Sequence, residues 1–271
     1  MIEHDEGIIK YLTFGSLDDL GLVRNIFTTR LGGVSTGYYS SMNLAYTNGD
    51  DEENVDDNYK IIAPVIGTDT GHIIRSHQTH TTNVQRVDES MILDDGERPP
   101  RPFLDTDGLV TDVPGIALAT FYADCVPLYF VDPVKKAIGL SHSGWRGTAA
   151  GMALSTVNKM KAEFGSDPDD IYAAIGPSIC KDHYEVSEAV AHAFRNAFGD
   201  DIHRVLYPGK ESGKYQLNLW EANRIMMIRS GIREDRIEVS GLCTYENPEL
   251  LFSHRASMGK RGNMAAFLML I

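Results

Sequence analysis

From Ile116 to Tyr122 the chain is a nearly continuous apolar run, the pattern of a β-strand covered on both faces. It delivers the chain to Asp124 and Cys125. Beyond them, Leu128 to Val131 runs into an Asp132-Pro133 turn, and a second apolar stretch, Ala137 to Ser141, follows. Two strands joined by a short turn return the chain beside itself, so Cys125 and His142 are expected to end as neighbours. Ile8 to Phe14, Val23 to Thr28, Ile171 to Ile175, Arg236 to Ser240 and Met264 to Ile271 also read as strands, and Asp105 to Gly108 as a turn feeding one. Ile73 to Val84 reads as a strand carrying His77 and His80. Extended, these two histidines face opposite sides, so at most one of them enters a given site. His80 shares its face with Gln78 and Thr82, a polar face suited to a pocket wall.

The remaining apolar positions repeat with a helical period. Ala150, Leu154, Val157, Met160 and Phe164 form a stripe over Thr148 to Phe164, closed by Gly165. Ser187 can cap a helix through Phe198 with Gly199 as its stop, and Asn218 with Glu221 opens one ending near Gly231. The acidic run Asp50 to Asp57 suits the first turns of a helix continuing through Ile62, where the dipole is positive. Thr29 to Leu44, rich in Gly, Ser and Thr, is a loop with Arg30 at its mouth, and Glu97 to Pro102 is a proline-rich connector. Helices recur between strands, yet several strands follow one another directly. The expected fold class is therefore α/β (α+β), a single domain over residues 1–271 with mixed β-sheets flanked by helices.

Composition narrows the function. A net charge of −13 argues against a nonspecific nucleic-acid or anionic-membrane surface, and an anionic substrate would need a local basic pocket. Three cysteines, odd in number and widely spaced, suit a reducing cytosol better than a disulfide framework. The acidic start lacks a signal-peptide pattern and no apolar run reaches membrane-spanning length, so a soluble cytoplasmic protein is expected. The glycine fingerprints of dinucleotide and nucleoside-triphosphate sites are missing.

The candidate chemistry centres on a thiol and two imidazoles. His80, Cys125 and His142 can make a three-ligand zinc site with a fourth position for water or substrate. The same atoms also permit a cysteine nucleophile with His142 as its base, or a buried cysteine and two ordinary histidines. Nine histidines without a single His-x-His pair do not support a laccase-type trinuclear copper cluster. Gly144 to Gly147 precedes a helix start that offers free amides to an anion, with Arg146 adding charge. Equally, Trp145 can pack inward while Arg146 pairs with an acid, and Arg30 can be a plain loop residue.

Several stretches together resemble one family. They are Thr29-Arg30-Leu31-Gly32-Gly33-Val34-Ser35, Gln78-Thr79-His80, Asp105-Thr106-Asp107-Gly108, Ala123-Asp124-Cys125-Val126-Pro127 and His142-Ser143-Gly144-Trp145-Arg146-Gly147. Ile175 to Ile179, Tyr184-Glu185-Val186 and Cys243-Thr244 continue the match in order to the C-terminus. The chain resembles the YfiH/YlmD family, also called laccase-domain or polyphenol oxidase-like proteins. That resemblance implies a cytoplasmic zinc enzyme, with copper the less favoured metal. It also implies phosphorolysis of adenosine, inosine, guanosine and methylthioadenosine, together with adenosine deamination. Purine nucleosides and phosphate are then its partners, and neither nucleic acid nor membrane is. The implied metal ligands and catalytic residues are His80, Cys125 and His142. Arg30, Asn43 and Arg146 are the candidates for phosphate, and His77 and Asp124 for a general acid.

Alternatives to that function are a cysteine-dependent hydrolase or amidase editing peptidoglycan precursors, and a non-catalytic metal-bound regulatory domain. Three positions depart from the family pattern. Thr81 stands where Gly is usual, Asn58-Tyr59 where Asn-Arg is usual, and Gly262-Asn263, after Lys260-Arg261, where Gly-Arg is usual. The last two remove basic groups that an anion could contact.

Overall fold

The structure is a computed structural model that describes every residue except Ile8 and Asp95. Its strands are β1 (Ile2–Asp5), β2 (Lys10–Thr13), β3 (Val23–Thr28), β4 (Ile73–Arg75), β5 (Val84–Arg86), β6 (Gly108–Thr111), β7 (Ala117–Tyr122) and β8 (Val126–Asp132). After them come β9 (Ala137–Ser143), β10 (Tyr172–Ile175), β11 (Glu185–Ser187), β12 (Leu206–Pro208), β13 (Lys214–Leu217), β14 (Ile237–Val239) and β15 (Met264–Leu270). The helices are α1 (Gly15–Asp18), α2 (Glu52–Ile66), α3 (Trp145–Ala150), α4 (Met152–Phe164), α5 (Glu188–Phe198), α6 (Ile202–Val205) and α7 (Leu219–Arg229).

Two six-stranded sheets carry the fold, in the orders β1-β2-β3-β15-β7-β4 and β14-β10-β8-β9-β6-β5, beside a small sheet β11-β13-β12. Both large sheets are mixed. The β4–β7, β5–β6 and β10–β14 pairs run parallel and the others antiparallel. Alternation along the central strands shows how the layers stack. In β15, Met264, Ala266, Leu268 and Leu270 join a core shared by both large sheets, whereas Ala265, Phe267 and Met269 join one shared with α2. In β8, Tyr129 and Val131 enter the shared core, and Leu128 and Phe130 face a third core built with α4, α5 and α7. The order is helix, sheet, sheet, helices. Tyr129 crosses the middle layer, its hydroxyl donating to the Ile26 carbonyl of β3 at 2.9 Å.

Local chemistry explains most boundaries. Asp51 caps α2 by accepting from the Glu53 amide, and Gly67 ends it in the left-handed region. Asn218 accepts from the Glu221 amide at the start of α7. The turn between β8 and β9 is held by Asp132, whose carboxylate accepts the amides of Val134 and Lys135 at 2.9 Å each.

Three expectations are corrected. Ile73 to Val84 is not one strand, because pairing stops at Arg75 and resumes at Val84, with a loop between. Thr148 to Phe164 is not one helix. Gly151 takes φ +85° and separates α3 from α4, and the buried face of α4 is Met152, Ala153, Thr156, Val157 and Met160, with Leu154 exposed. The first strand forms only at Lys10–Thr13, paired with an unanticipated β1, while the Ile8 end of that expectation lies outside the described residues.

Candidate metal centre

Two passages of the chain cross from the first large sheet to the second, and each carries a candidate ligand. Between β4 and β5 lies His80, and between β7 and β8 lies Cys125. His142 stands near the end of β9, where Val126 pairs with Ser143 and Pro127 with His142. The ligand atoms of His80, Cys125 and His142 all lie within 4.8 Å of one another. Cys125 Sγ is 4.0 Å from His80 Nε2, and the two imidazole rings meet edge to face at 5.0 Å between centroids.

Asp107 organises this cluster. It is fully buried, and its carboxylate accepts the amides of Thr79, His80 and Thr81 at 3.1, 3.1 and 2.8 Å and the Thr81 hydroxyl at 2.9 Å. That capture bends residues 79–81 out of strand geometry and holds His80 at φ +65°. The same carboxylate lies 2.8 Å from His142 Nδ1, leaving Nε2 available to a metal. Burial opposes the Asp107 charge, yet the His142 contact and the amide donors hold its carboxyl below the usual range. Sequence reading quoted Asp107 within a motif but gave it no role. The signal was there: an acid before Gly108, opening a strand that pairs with the strand of His142.

The residue before Cys125 on the β7–β8 crossing is equally constrained. Asp124 sits at φ +87°, its carboxylate accepting the Thr244 hydroxyl at 2.6 Å and the Arg255 amide at 2.7 Å, its carbonyl the Ile179 amide at 3.1 Å. These contacts fix the backbone entering Cys125 and occupy the carboxylate. Gly144 closes the other side. A Cβ there would lie 2.9 Å from His80 Cδ2 and 3.1 Å from Cys125 Sγ, so only glycine leaves both side chains in place. Burial disfavours the Cys125 thiolate, but His142 and then His80 bring the thiol down to about 6. Burial likewise disfavours charged His142, and Cys125 followed by Asp107 raises it to about 9. One thiolate and two imidazoles, one of them oriented by a buried carboxylate, form a donor set that fits zinc, and a single copper ion also accepts such ligands.

The cluster opens into a cavity of about 300 Å³, at the small end for small-molecule sites. Tyr46 and Phe121 give it aromatic surface, and Arg75, Arg101 and Arg261 give it positive charge. His77 and His80 both line it, contrary to the opposite-face expectation, because the segment is a loop and not a strand. Gln78 is a wall strut, its amide exchanging hydrogen bonds with the Phe121 backbone at 2.8 and 2.7 Å.

Arg30, Asn43 and Arg146 are not among the lining residues. The Arg30 guanidinium donates to the carbonyls of Ser40 and Pro248 in a neighbouring depression that also contains Arg261. Asn43 is fully buried and accepts the Asn263 amide at 2.9 Å, supporting a residue that does line the cavity. Arg146 is exposed and stacks on Trp145. Tyr59 lies buried beneath the wall, its ring stacked on Tyr46 and its hydroxyl on the Leu44 carbonyl. Arg261 reaches the wall beside Asn263 and donates to its side chain. The arginines of the lining escaped sequence reading because they come from three separate segments with no shared spacing.

A family described as multi-copper polyphenol oxidoreductase laccase matches residues 24–271. A purine nucleoside phosphorylase, YlmD, of Bacillus subtilis is 37% identical over 243 residues, covering 89% of this chain and 86% of that protein. An adenosine deaminase from an unknown prokaryotic organism is 33% identical over 230 residues, covering 84% of this chain and 87% of that protein. The crystal structure of the hypothetical protein YfiH of Bacillus licheniformis superposes with a TM-score of 0.92 at 35% identity, covering 99% of each chain.

Proposed function

Because this chain belongs to the YfiH/YlmD family, described as multi-copper polyphenol oxidoreductase laccase, we propose that it is a zinc-dependent purine nucleoside phosphorylase with adenosine deaminase activity. The carrying observation is a single cavity that joins the His80, Cys125 and His142 ligand atoms to Arg75, Arg101 and Arg261. We read residues 1–271 as one catalytic domain.

His80, Cys125 and His142 would hold the metal, whose chemistry when bound would be to polarise the purine or to lower the pKa of a water for deamination. Asp107 keeps His142 in one orientation and fixes the loop of His80, so two ligands are set by one carboxylate. In phosphorolysis a phosphate oxygen bonds to ribose C1′ as the bond to the purine nitrogen breaks, and the departing base takes a proton. Arg261, with Arg75 and Arg101, attracts the phosphate dianion against the global negative charge. Asn43 acts as a positioning residue through Asn263, and Arg30 sits in the adjoining depression beside Arg261. Phe121 offers a flat face to the base, while Tyr46 closes the wall beside it with its ring held among Tyr59, Arg75 and Arg98. His77, with Nδ1 accepting the Asp105 amide at 3.2 Å, can present its other nitrogen to the departing purine.

Incubation of zinc-loaded protein with inosine or adenosine, with and without phosphate, tests this directly. Hypoxanthine released only with phosphate and inosine formed from adenosine are the expected products. No product from any purine nucleoside would overturn the proposal. Arg261→Ala is expected to raise KM for phosphate about 10- to 100-fold, the loss of one charge-assisted contact, with zinc content unchanged.

The lowered Cys125 thiol favours one second reading, a cysteine hydrolase acting without metal. Turnover that survives chelation and disappears on alkylation of Cys125 would select it.

A further inference from the structure

A second group of donors lies away from the cavity, on the far side of Asp124. Cys180 follows β10, His183 lies before β11, and Glu246 lies in the long passage between β14 and β15. Their ligand atoms fall within 4.8 Å of one another, the same criterion that His80, Cys125 and His142 meet. Glu246 Oε1 is 3.0 Å from His183 Nε2 and 3.9 Å from Cys180 Sγ. Zinc bonds of about 2.0–2.3 Å separate tetrahedral ligands by roughly 3.3–3.6 Å, so small side-chain rotations would complete the geometry. We propose that Cys180, His183 and Glu246 form a second transition-metal site, suited to zinc, with its fourth position facing solvent.

The charges and the surroundings support this. A thiolate, a carboxylate and a neutral imidazole sum to −2, which balances a divalent ion. A buried sulfur donor selects against magnesium and calcium. Two of the three donors are already held by contacts a metal would not disturb. The Cys180 amide donates to Cys243 Sγ at 3.3 Å, the His183 ring stacks on Tyr245 at 4.2 Å, and the His183 carbonyl accepts from Arg255 at 3.2 Å. The His183–Glu246 hydrogen bond alone would need no thiol aimed at the same oxygen.

The site also has a place in the architecture. Thr244 and Arg255, which hold Asp124, flank Glu246 in the same passage, and Ile179, which holds the Asp124 carbonyl, precedes Cys180. An ion there would tie the Cys180–His183 segment to that passage and brace the backbone that presents Cys125.

Chelator-stripped full-length protein titrated with zinc, and separately with cobalt, tests the assignment. The wild type is expected to take up one ion for each cluster. Cys125→Ser protein should keep one ion and a thiolate-to-cobalt absorption band, both lost when His183→Ala and Glu246→Gln are added. His183 and Glu246 are partly exposed, so these changes should leave the circular dichroism spectrum intact. Absence of a thiolate–cobalt band in Cys125→Ser protein would overturn the proposal. So would a second ion that persists in the His183→Ala, Glu246→Gln protein, since it would then be bound elsewhere. Neither outcome depends on nucleoside turnover.

Discussion

Asp107 ties three successive amides and one imidazole to a single carboxylate, so its neutral isostere is a sharp probe of the metal centre. Asn at this position keeps one acceptor and turns the other towards amides that need one. Asp107→Asn should weaken zinc affinity about 10- to 100-fold, the usual effect of losing a partner behind a ligand histidine, measured by competition with a chromophoric chelator. Cys125 gives a pH readout. Its thiol is lowered to about 6, so in metal-stripped protein the thiolate forms as pH rises through that value. Iodoacetamide alkylation should reach half its maximal rate near pH 6, and a midpoint near the ordinary thiol value of about 8.5 would contradict the pairing with His142. At this scale the family resemblance picked out the three residues whose side chains cluster, and adjacent strands made the Cys125–His142 pairing legible from the residues alone. Arg261 was visible only as a neighbour of a departure at Asn263, since nothing in a linear sequence shows that both face one cavity.

Elements were legible where burial has a clear period. Val23 to Thr28 and the caps at Asn218 and Gly165 lie where the pattern places them. The sheet β11-β13-β12 went unseen because its strands are of three or four residues with mixed burial, too short for alternation to register. The His77–His80 segment misled for a different reason. Its apolar entry and β-branched residues favour a strand, but a buried carboxylate from another strand takes its amides. Tyr129 tests the packing of β8 on β3. Tyr129→Phe removes one buried inter-sheet hydrogen bond and should cost about 1–2 kcal/mol, seen as a lower Tm with zinc stoichiometry unchanged.

In the whole molecule, the three apolar cores are built from hydrophobic side chains of the sheets and helices, and of the three cluster residues only Cys125 packs against one of them. Dialysis against a chelator should therefore abolish turnover while leaving the far-ultraviolet circular dichroism intact, and added zinc should restore activity. Loss of the folded spectrum on chelation would contradict this separation. Among the described residues no helix is long and apolar enough to cross a membrane. The two crossings from the first large sheet to the second have one more consequence. Because His80 and Cys125 sit on different crossings, an ion between them acts as a rivet through the sandwich. Relative slip of the layers must strain that joint before it breaks the interior, so hydrogen exchange at the ends of β4, β7 and β8 should slow on metal loading while the far ends of the same strands stay unchanged.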